Sequence, residues 1–278
     1  MADHQAATAP KSRKHIWLIL DESGSMESTR KDVIGGFNAY IEDRKTELDI
    51  ADIFVTVTKF NTSAKALYSN VPVQDVVPLN LTTYTPGGGT ALMDAVGNTL
   101  LANEKMIGMA VVPQVIQEPS PDASTTVEST TVEAAVVKST PNDSDPSVAG
   151  SNDAVLVVVF TDGEENSSRE FRSEQIKQMI ADRTAQGTHT FIYLGADHDA
   201  WSASSDIGIS ANNTVSYSKG ATTQAFSSLS QVSKRYVSDY QEDYMTAQGL
   251  APGGSVDDMF TGYKKTDGGI ADEETIAP

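Results

Sequence analysis

With 278 residues, the chain is long enough for one large domain or two small ones with a full hydrophobic core. Its 38 acidic and 20 basic residues give a formal net charge of -18, which repels DNA and acidic membrane surfaces at long range. The lack of cysteine excludes disulfides and thiolate sites, and no signal peptide or membrane-spanning run is predicted, so we expect a cytoplasmic protein that binds neither nucleic acid nor membranes.

The first predicted strand is the continuous apolar run at 16–20, which is typical of a strand covered on both faces of a mainly parallel sheet. Helical spacing of apolar residues between 33 and 48 separates it from a β-rich segment at 53–60. The turn at 61–63 then leads into a short apolar run at 64–68. Because parallel pairing needs a long crossover, this turn predicts a hairpin whose second strand is antiparallel at the sheet edge.

The second half of the chain alternates helices with strands after a glycine-rich loop at 86–89. Helices are predicted at 90–109, around 176–180, at 198–207 and at 226–240, and strands at 154–160, 190–194 and 214–217. Asp197 is expected to cap the helix at 198–207. The alternation predicts a doubly wound α/β fold with a mainly parallel sheet and one antiparallel edge strand.

Three segments have a composition that does not suit a packed core. Residues 113–153 contain no aromatic residue and seven acids against one lysine, which predicts a disordered low-complexity insertion. Residues 1–13 are predicted to be a flexible arm, and residues 246–278 a flexible acidic tail without secondary structure. The folded domain is therefore expected to span 14–245.

Hard oxygen donors follow three of the predicted elements at the edge where open α/β sheets bind ligands. Asp21, Ser23 and Ser25 come directly after the first strand, Thr90 follows the glycine loop, and Asp162 follows the strand at 154–160. If these two strands are neighbours, the two carboxylates face each other across a crevice. Two carboxylates and three hydroxyls suit Mg²⁺, and Mn²⁺ would also fit.

The pattern D-x-S-x-S at 21–25, the threonine of Gly89-Thr90 and the sequence Thr-Asp-Gly at 161–163 resemble the metal-ion-dependent adhesion site (MIDAS) of von Willebrand factor A domains. The resemblance covers about 14–243 apart from the insertion, and it implies the Rossmann-like fold of that family. The motifs look most like those of the stand-alone domains of bacteria and their phages.

The resemblance implies that Ser23 and Ser25 bind the metal directly, that Asp21 and Asp162 bind largely through water, and that Thr90 binds in either way. Two carboxylates roughly neutralise a divalent ion, which keeps affinity for one more anionic oxygen. In the family, that oxygen belongs to an Asp or Glu side chain of a partner protein. The resemblance thus implies a non-enzymatic, metal-dependent protein-binding module.

Other residues near the predicted site have open roles. Asp94 lies one helical turn beyond Thr90, so it is either a partner of a metal ligand or a loop-bracing group, and we assign it no metal role. Glu22, Glu164 and Glu165 are predicted to be solvated loop charges, with partner selection as the alternative. Trp201 is either a core residue or an exposed interface anchor.

Enzymatic alternatives find little support in the sequence. Ser23 lies in no Gly-x-Ser-x-Gly motif, and the glycine loop at 87–90 lacks the lysine of a phosphate-binding loop. A metal-dependent phosphoryl or phosphate-ester enzyme remains the runner-up, because such enzymes also use Mg²⁺ at this edge. A third alternative is a structural or assembly protein, for example of a phage particle, in which the metal stabilises a joint.

Overall fold

The computed structural model describes residues 12–108, 153–197, 199–246, 259–260, 263–266 and 269–272. The strands are β1 Ser12–Asp21, β2 Ala51–Phe60, β3 Ala64–Pro72, β4 Ala154–Thr161, β5 His189–Ala196, β6 Thr214–Tyr217, β7 Tyr263–Thr266 and β8 Gly269–Asp272. The helices are α1 Arg30–Lys45, α2 Leu92–Met106, α3 Ser173–Ala185, α4 Ala200–Asp206 and α5 Thr222–Thr246. None of the helices in these ranges is long and apolar enough to cross a membrane.

The main sheet has the strand order β3-β2-β1-β4-β5-β6. β1 pairs in parallel with both β2 and β4, so the two apolar strands at its centre are neighbours, and β3 runs antiparallel at one edge. This arrangement confirms the predicted α/β fold class with one antiparallel edge strand. Two register shifts around Val57 interrupt the pairing of β2 with β3, and Asn70 in β3 has a positive φ of 52°.

The core lies in two apolar layers, one on each face of the sheet. Alternation along β1 sends Ile16, Leu18 and Leu20 into one layer, and Trp17 and Ile19 into the other. Helices α1 and α5 pack on the first face, and α2, α3 and α4 pack on the second. Because both faces are covered, the central strands are apolar on both sides, which is why they were recognisable as continuous runs.

A buried ion pair connects α2 with α3 near the amino ends of the strands. Two nitrogens of Arg183 donate to the two carboxylate oxygens of Glu104, with Nη2 2.7 Å from Oε2, and both side chains are almost fully buried. The imidazole of His189, the first residue of β5, lies beside this pair, with Nε2 3.5 Å from Glu104 Oε1. The pair therefore neutralises two charges that the core would otherwise leave uncompensated.

Helix α4 begins later than predicted, and its cap is a different residue. The side chain of Asp199 accepts a hydrogen bond from Ser202 N at 3.1 Å, so Asp199 and not Asp197 caps this helix. Asp197 has a positive φ of 54°, and its Oδ1 accepts a hydrogen bond from the backbone N–H of Lys219. The prediction of Asp197 as the cap was wrong because a contact distant in sequence already engages its side chain.

The region after α5 contains structure that its composition did not predict. Strands β7 and β8 form an antiparallel hairpin inside the predicted tail. Met259 and Phe260 are buried in the layer that contains α5, and Met259 N donates to Asn213 Oδ1 at 2.8 Å. The rest of the tail lies outside the described residues, as do the arm at 1–11 and the insertion at 113–152.

Two adjacent glycines in α1 give a matched test of helix packing. A Cβ at Gly36 would lie 2.7 Å from Cγ and 2.9 Å from Cβ of Phe226 on α5, whereas a Cβ at the exposed Gly35 would meet nothing within 4 Å. We expect Gly36→Ala to lower the free energy of unfolding by about 1–3 kcal/mol through overpacking. Gly35→Ala should raise it by about 0.5–1 kcal/mol through helix propensity. Urea unfolding measures both, and equal effects would contradict the close packing.

Because His189 is buried, we expect the domain to lose stability in acid. Burial, and next the guanidinium of Arg183, lower the pKa of His189 from 6.5 to about 3. Between these values the unfolded chain binds a proton that the folded chain does not, so stability is complete above pH 6.5 and falls by about 1 kcal/mol per pH unit below it. We expect His189→Gln to show a shallower loss between pH 6.5 and 3 in urea unfolding. An unchanged slope would contradict this origin.

Candidate metal centre

The five predicted donors lie on three segments that meet at the carboxyl ends of the central strands. Asp21 is the last residue of β1, and Asp162 follows directly after β4, the strand that pairs with β1. Ser23 and Ser25 lie in the turn after β1, and Thr90 lies two residues before α2. The parallel pairing of β1 with β4 therefore brings the two carboxylates to the same edge of the sheet.

Hydrogen bonds connect three of these side chains directly. The hydroxyl of Ser25 donates to Asp162 Oδ1 at 2.5 Å, and the hydroxyl oxygens of Ser23 and Ser25 are 2.9 Å apart. The first of these bonds joins the turn after β1 to the loop after β4, which are 137 residues apart in the sequence. The motif at 21–25 and the Thr-Asp-Gly sequence thus form one polar cluster.

Two hydrogen bonds hold the carboxylate of Asp21 next to this cluster. Its side chain is fully buried, Oδ1 accepts a hydrogen bond from Ser23 N at 2.6 Å, and Oδ2 accepts one from the Thr161 hydroxyl at 2.5 Å. Burial raises the pKa of the Asp21 carboxyl, although these hydrogen bonds act in the opposite direction. A cation nearby would relieve the cost of burying this charge.

Gly163, in the loop after β4, is the point on which oxygens from the other two segments converge. A Cβ at Gly163 would lie 3.2 Å from Thr90 Oγ1, 3.5 Å from Ser25 Oγ and 3.7 Å from Asp21 Oδ2. A side chain here would therefore press on the polar cluster. The absence of a side chain leaves these oxygens free of steric crowding on this side.

Asp162 carries a buried oxygen without a hydrogen bond. Its side chain is 1% exposed, and no donor in the described part of the chain makes a well-oriented hydrogen bond to Oδ2. The ammonium nitrogen of Lys219 lies 2.9 Å from this oxygen, as an ion pair. A divalent ion would offer this buried oxygen a positive partner, as the ammonium of Lys219 does here.

The donor set therefore fits Mg²⁺ or Mn²⁺, with two carboxylates and three hydroxyls as hard oxygen ligands. Within the described residues, no group of three or more His, Cys, Asp or Glu side chains is arranged to hold a metal ion. The hydroxyls of Ser23, Ser25 and Thr90 are consequently an essential part of this candidate site. The binding of a metal by these five residues stays a prediction.

Glu22 is not the solvated loop charge that the sequence suggested. Its side chain is buried, and Oε1 pairs with Lys59 Nζ at 2.6 Å and accepts a hydrogen bond from Thr85 N at 2.5 Å. Glu22 therefore joins β2 to the segment that leads into the glycine loop. The prediction failed because both partners are far away in the sequence.

Two further carboxylates brace the loop after β4. Asp94 accepts hydrogen bonds from the backbone N–H groups of residues 169–171, which confirms the loop-bracing alternative. Glu165 was predicted to be solvated, but it accepts hydrogen bonds from the backbone of Met93 and of residues 167–168. Of the acids around the site, Glu164 is exposed as predicted.

The glycine loop is tied to the turn after β1 by its backbone. Gly24 N donates to Gly88 O at 3.1 Å, and Gly87 N donates to Glu22 O at 2.9 Å. Gly88 has a φ of 83°, a backbone conformation that residues other than glycine rarely adopt. The Tyr84 hydroxyl also donates to Asp21 O at 2.5 Å. These contacts fix the segments that carry the donors, and none of them was predicted.

Trp201 lies on α4, close to the carboxyl edge of the sheet. The residue is 39% exposed, so of the two interpretations that of a core tryptophan was wrong. It lines a surface cavity of about 350 Å³ together with Lys177 and Phe191.

No model of a known protein family matches the chain, and no curated protein matches it. Its fold is similar to several solved structures. A structure of proximal thread matrix protein 1 from the mussel byssus, described with a zinc-occupied MIDAS motif, has a TM-score of 0.46 and 15% identity over 83% of this chain. A von Willebrand factor type A structure from Catenulispora acidiphila has a TM-score of 0.43 and 13% identity over 81% of this chain.

The ArnB paralog VWA2 from Sulfolobus acidocaldarius has a TM-score of 0.45 and 14% identity over 80% of this chain. The chain spans 48%, 43% and 46% of the mussel, Catenulispora and Sulfolobus structures, so it corresponds to less than half of each. Likenesses this weak carry no argument about function. The strand order and the antiparallel edge strand described above are those of the doubly wound, mainly parallel α/β sheet that the sequence predicts.

Proposed function

We propose that this chain is a non-enzymatic protein-binding domain whose metal site recognises a carboxylate group of a partner protein. The ligands would be Asp21, Ser23, Ser25, Thr90 and Asp162, and the ion would be Mg²⁺, with Mn²⁺ as a substitute. The observation that carries the proposal is the convergence of Thr90, Ser25 and Asp21 oxygens, from two chain segments, on Gly163 of a third, beside the buried oxygen of Asp162.

The chemistry of the donor set favours an acidic partner. A bound divalent ion would supply a positive position for one more oxygen ligand, because two carboxylates cancel only its own charge. This local attraction acts at contact distance, where it outweighs the repulsion expected from the chain's net charge of -18. We therefore propose an Asp or Glu side chain of another protein as the ligand.

The surface beside the site has room for a partner segment. A cavity of about 360 Å³ adjoins Gly163 and is lined by Leu92, Met93, Tyr193 and Ala203 as well as by acidic residues. A peptide whose carboxylate reaches the metal would place its neighbouring residues against this cavity. The cavity adds apolar contact area to an interaction that the metal alone would leave small.

The proposed domain spans residues 14–245 with the insertion at 113–153, an arm at 1–13 and an acidic tail at 246–278. We propose a cytoplasmic location and a bacterial or phage type. These assignments rest on composition and on the sequence motifs. We propose no binding to nucleic acid or membranes, because the acidic charge of the chain opposes both.

The experiment that tests this function is affinity capture from a lysate of the source organism, in Mg²⁺ and in chelator, with captured proteins identified by mass spectrometry. Asp21→Asn removes a proposed ligand, and Asp52→Asn is the matched control because Asp52 is exposed near the amino end of β2. We expect a partner that is captured only with Mg²⁺, by the wild type and by Asp52→Asn. Replacing the partner's contacting Asp or Glu by the amide should abolish capture.

Capture that is indifferent to chelator and to Asp21→Asn would contradict the proposal. The enzymatic alternative has its own measurement. Metal-dependent hydrolysis of a phosphate ester that Asp162→Asn abolishes would favour a phosphoryl-transfer enzyme. A metal-dependent homo-oligomer in sedimentation would favour an assembly role.

A further inference from the structure

Lys219 is the cation that pairs with the proposed metal ligand Asp162. Its ammonium nitrogen lies 2.9 Å from Asp162 Oδ2, the oxygen without a well-oriented hydrogen bond. The Asp162 side chain is 1% exposed, whereas that of Lys219 is 31% exposed. The pair thus joins a fixed buried carboxylate to a cation that has access to solvent.

The backbone of Lys219 is held beside the site. Lys219 N donates to Asp197 Oδ1 at 3.1 Å, and Asp197 N donates to Tyr217 O at the end of β6. These bonds place Lys219 at the carboxyl edge of the sheet, just before α5. The ammonium therefore reaches Asp162 from a fixed backbone position, on a side chain that is 31% exposed to solvent.

A divalent ion bound by Asp162, directly or through water, would lie close to this ammonium, and the two cations would repel each other strongly. At the distances of a metal site, two positive charges repel each other strongly even when the surroundings screen them moderately. A buried carboxylate without any cation is also unfavourable. The site is consequently stable with the lysine or with the metal, and each excludes the other.

We propose that Lys219 is a built-in competitor of the divalent ion, which pairs with Asp162 in the metal-free protein and is displaced when the metal binds. This inference rests on the proposed metal site. Lys219 is thereby a residue that determines metal affinity: it keeps the empty site folded and raises the metal concentration at which the site fills. The chain's ability to bind a partner would then depend on the free Mg²⁺ concentration.

The test is the Mn²⁺ dissociation constant, measured by electron paramagnetic resonance on the full chain. Lys219→Met removes the competing charge, Lys219→Arg keeps a positive charge, and Lys65→Met is a matched control because Lys65 is exposed on β3. Lys65→Met reports the effect of net charge alone. We expect Lys219→Met to bind Mn²⁺ about 10-fold more tightly than Lys65→Met, and Lys219→Arg to stay within about 3-fold of the wild type.

Thermal unfolding gives a second readout that does not depend on the titration. In chelator, Lys219→Met should melt below Lys65→Met, because Asp162 has lost its cation. In saturating Mn²⁺ the order should reverse. Affinity of Lys219→Met equal to or weaker than that of Lys65→Met, or the same melting order in both conditions, would overturn the role of Lys219.

Failure of this inference is distinguishable from failure of the metal site itself. If the wild type binds Mn²⁺ and Asp162→Asn does not, the site exists, and the lysine variants alone decide the role of Lys219. If neither the wild type nor Lys219→Met binds Mn²⁺ up to millimolar concentration, the proposed function and this inference both fail.

Discussion

Replacing Asp21 by asparagine is expected to weaken Mn²⁺ binding roughly 100-fold while the metal-free domain stays folded. Asparagine has the same shape as aspartate, and its Oδ1 can still accept the hydrogen bond from Ser23 N. Its amide can donate to Thr161 Oγ1, because the Thr161 hydroxyl can donate instead to Gly163 O, which is 3.2 Å away. The charge that the site offers to a metal is lost. Titration calorimetry with Mn²⁺ measures the change.

The metal-free stability of this variant separates a lost ligand from a damaged fold. Because burial raises the pKa of Asp21, the ionised carboxylate is unfavourable in the empty site, and the neutral amide avoids that cost. We expect urea unfolding in chelator to give Asp21→Asn a stability equal to or above that of the wild type. Wild-type Mn²⁺ affinity in a folded Asp21→Asn protein would contradict the assignment of Asp21.

The second large effect is expected at the buried ion pair between Arg183 and Glu104. Arg183→Met leaves the Glu104 carboxylate buried without its guanidinium, which should lower the free energy of unfolding by about 3–5 kcal/mol. Arg183→Met combined with Glu104→Leu removes both charges and should cost much less than the two single changes together. Urea unfolding of the three variants gives the coupling energy.

An exposed pair on α1 is the matched control. Lys45 Nζ lies 2.7 Å from Glu42 Oε1, at a similar distance but in contact with solvent. We expect Lys45→Met to change stability by less than about 1 kcal/mol. Equal costs for Lys45→Met and Arg183→Met, or additive costs for the two changes in the buried pair, would contradict the role of burial.

The central strands were predictable because burial on both faces of the sheet requires a continuous run of apolar residues, which is visible in the local sequence. The runs at 16–20 and 154–160 lie inside β1 and β4, and the strand predicted at 214–217 has the bounds of β6. The proposed donors were found for a related reason. They follow directly after strands or a glycine loop, and the pairing of β1 with β4 brings them to one edge.

The roles of individual carboxylates were not predictable, because they depend on partners distant in sequence. Glu22 pairs with Lys59, 37 residues away, and Glu165 accepts from Met93, 72 residues away. No local pattern distinguishes the buried Glu22 and the half-buried Glu165 from Glu164, which is exposed. The pairing of Lys219 with Asp162 was not predicted from the sequence for the same reason.

Tertiary contacts determine which of two aspartates caps α4. Asp197 and Asp199 are both good capping residues by type, and the sequence alone does not decide between them. The hydrogen bond from Lys219 N engages Asp197, which leaves the capping role to Asp199. The hairpin of β7 and β8 was missed because its short strands lie in a glycine-containing, acidic segment whose composition predicts no packed core.

The outer strand β3 limits how copies of this chain associate. An edge strand offers unpaired backbone groups on which a strand from another molecule can add. Register shifts, the left-handed Asn70 and the terminal Pro72 make this edge too irregular for a regular strand to extend the hydrogen-bond ladder. Aggregation through a continuous intermolecular β-sheet is therefore disfavoured at this edge, even at high protein concentration.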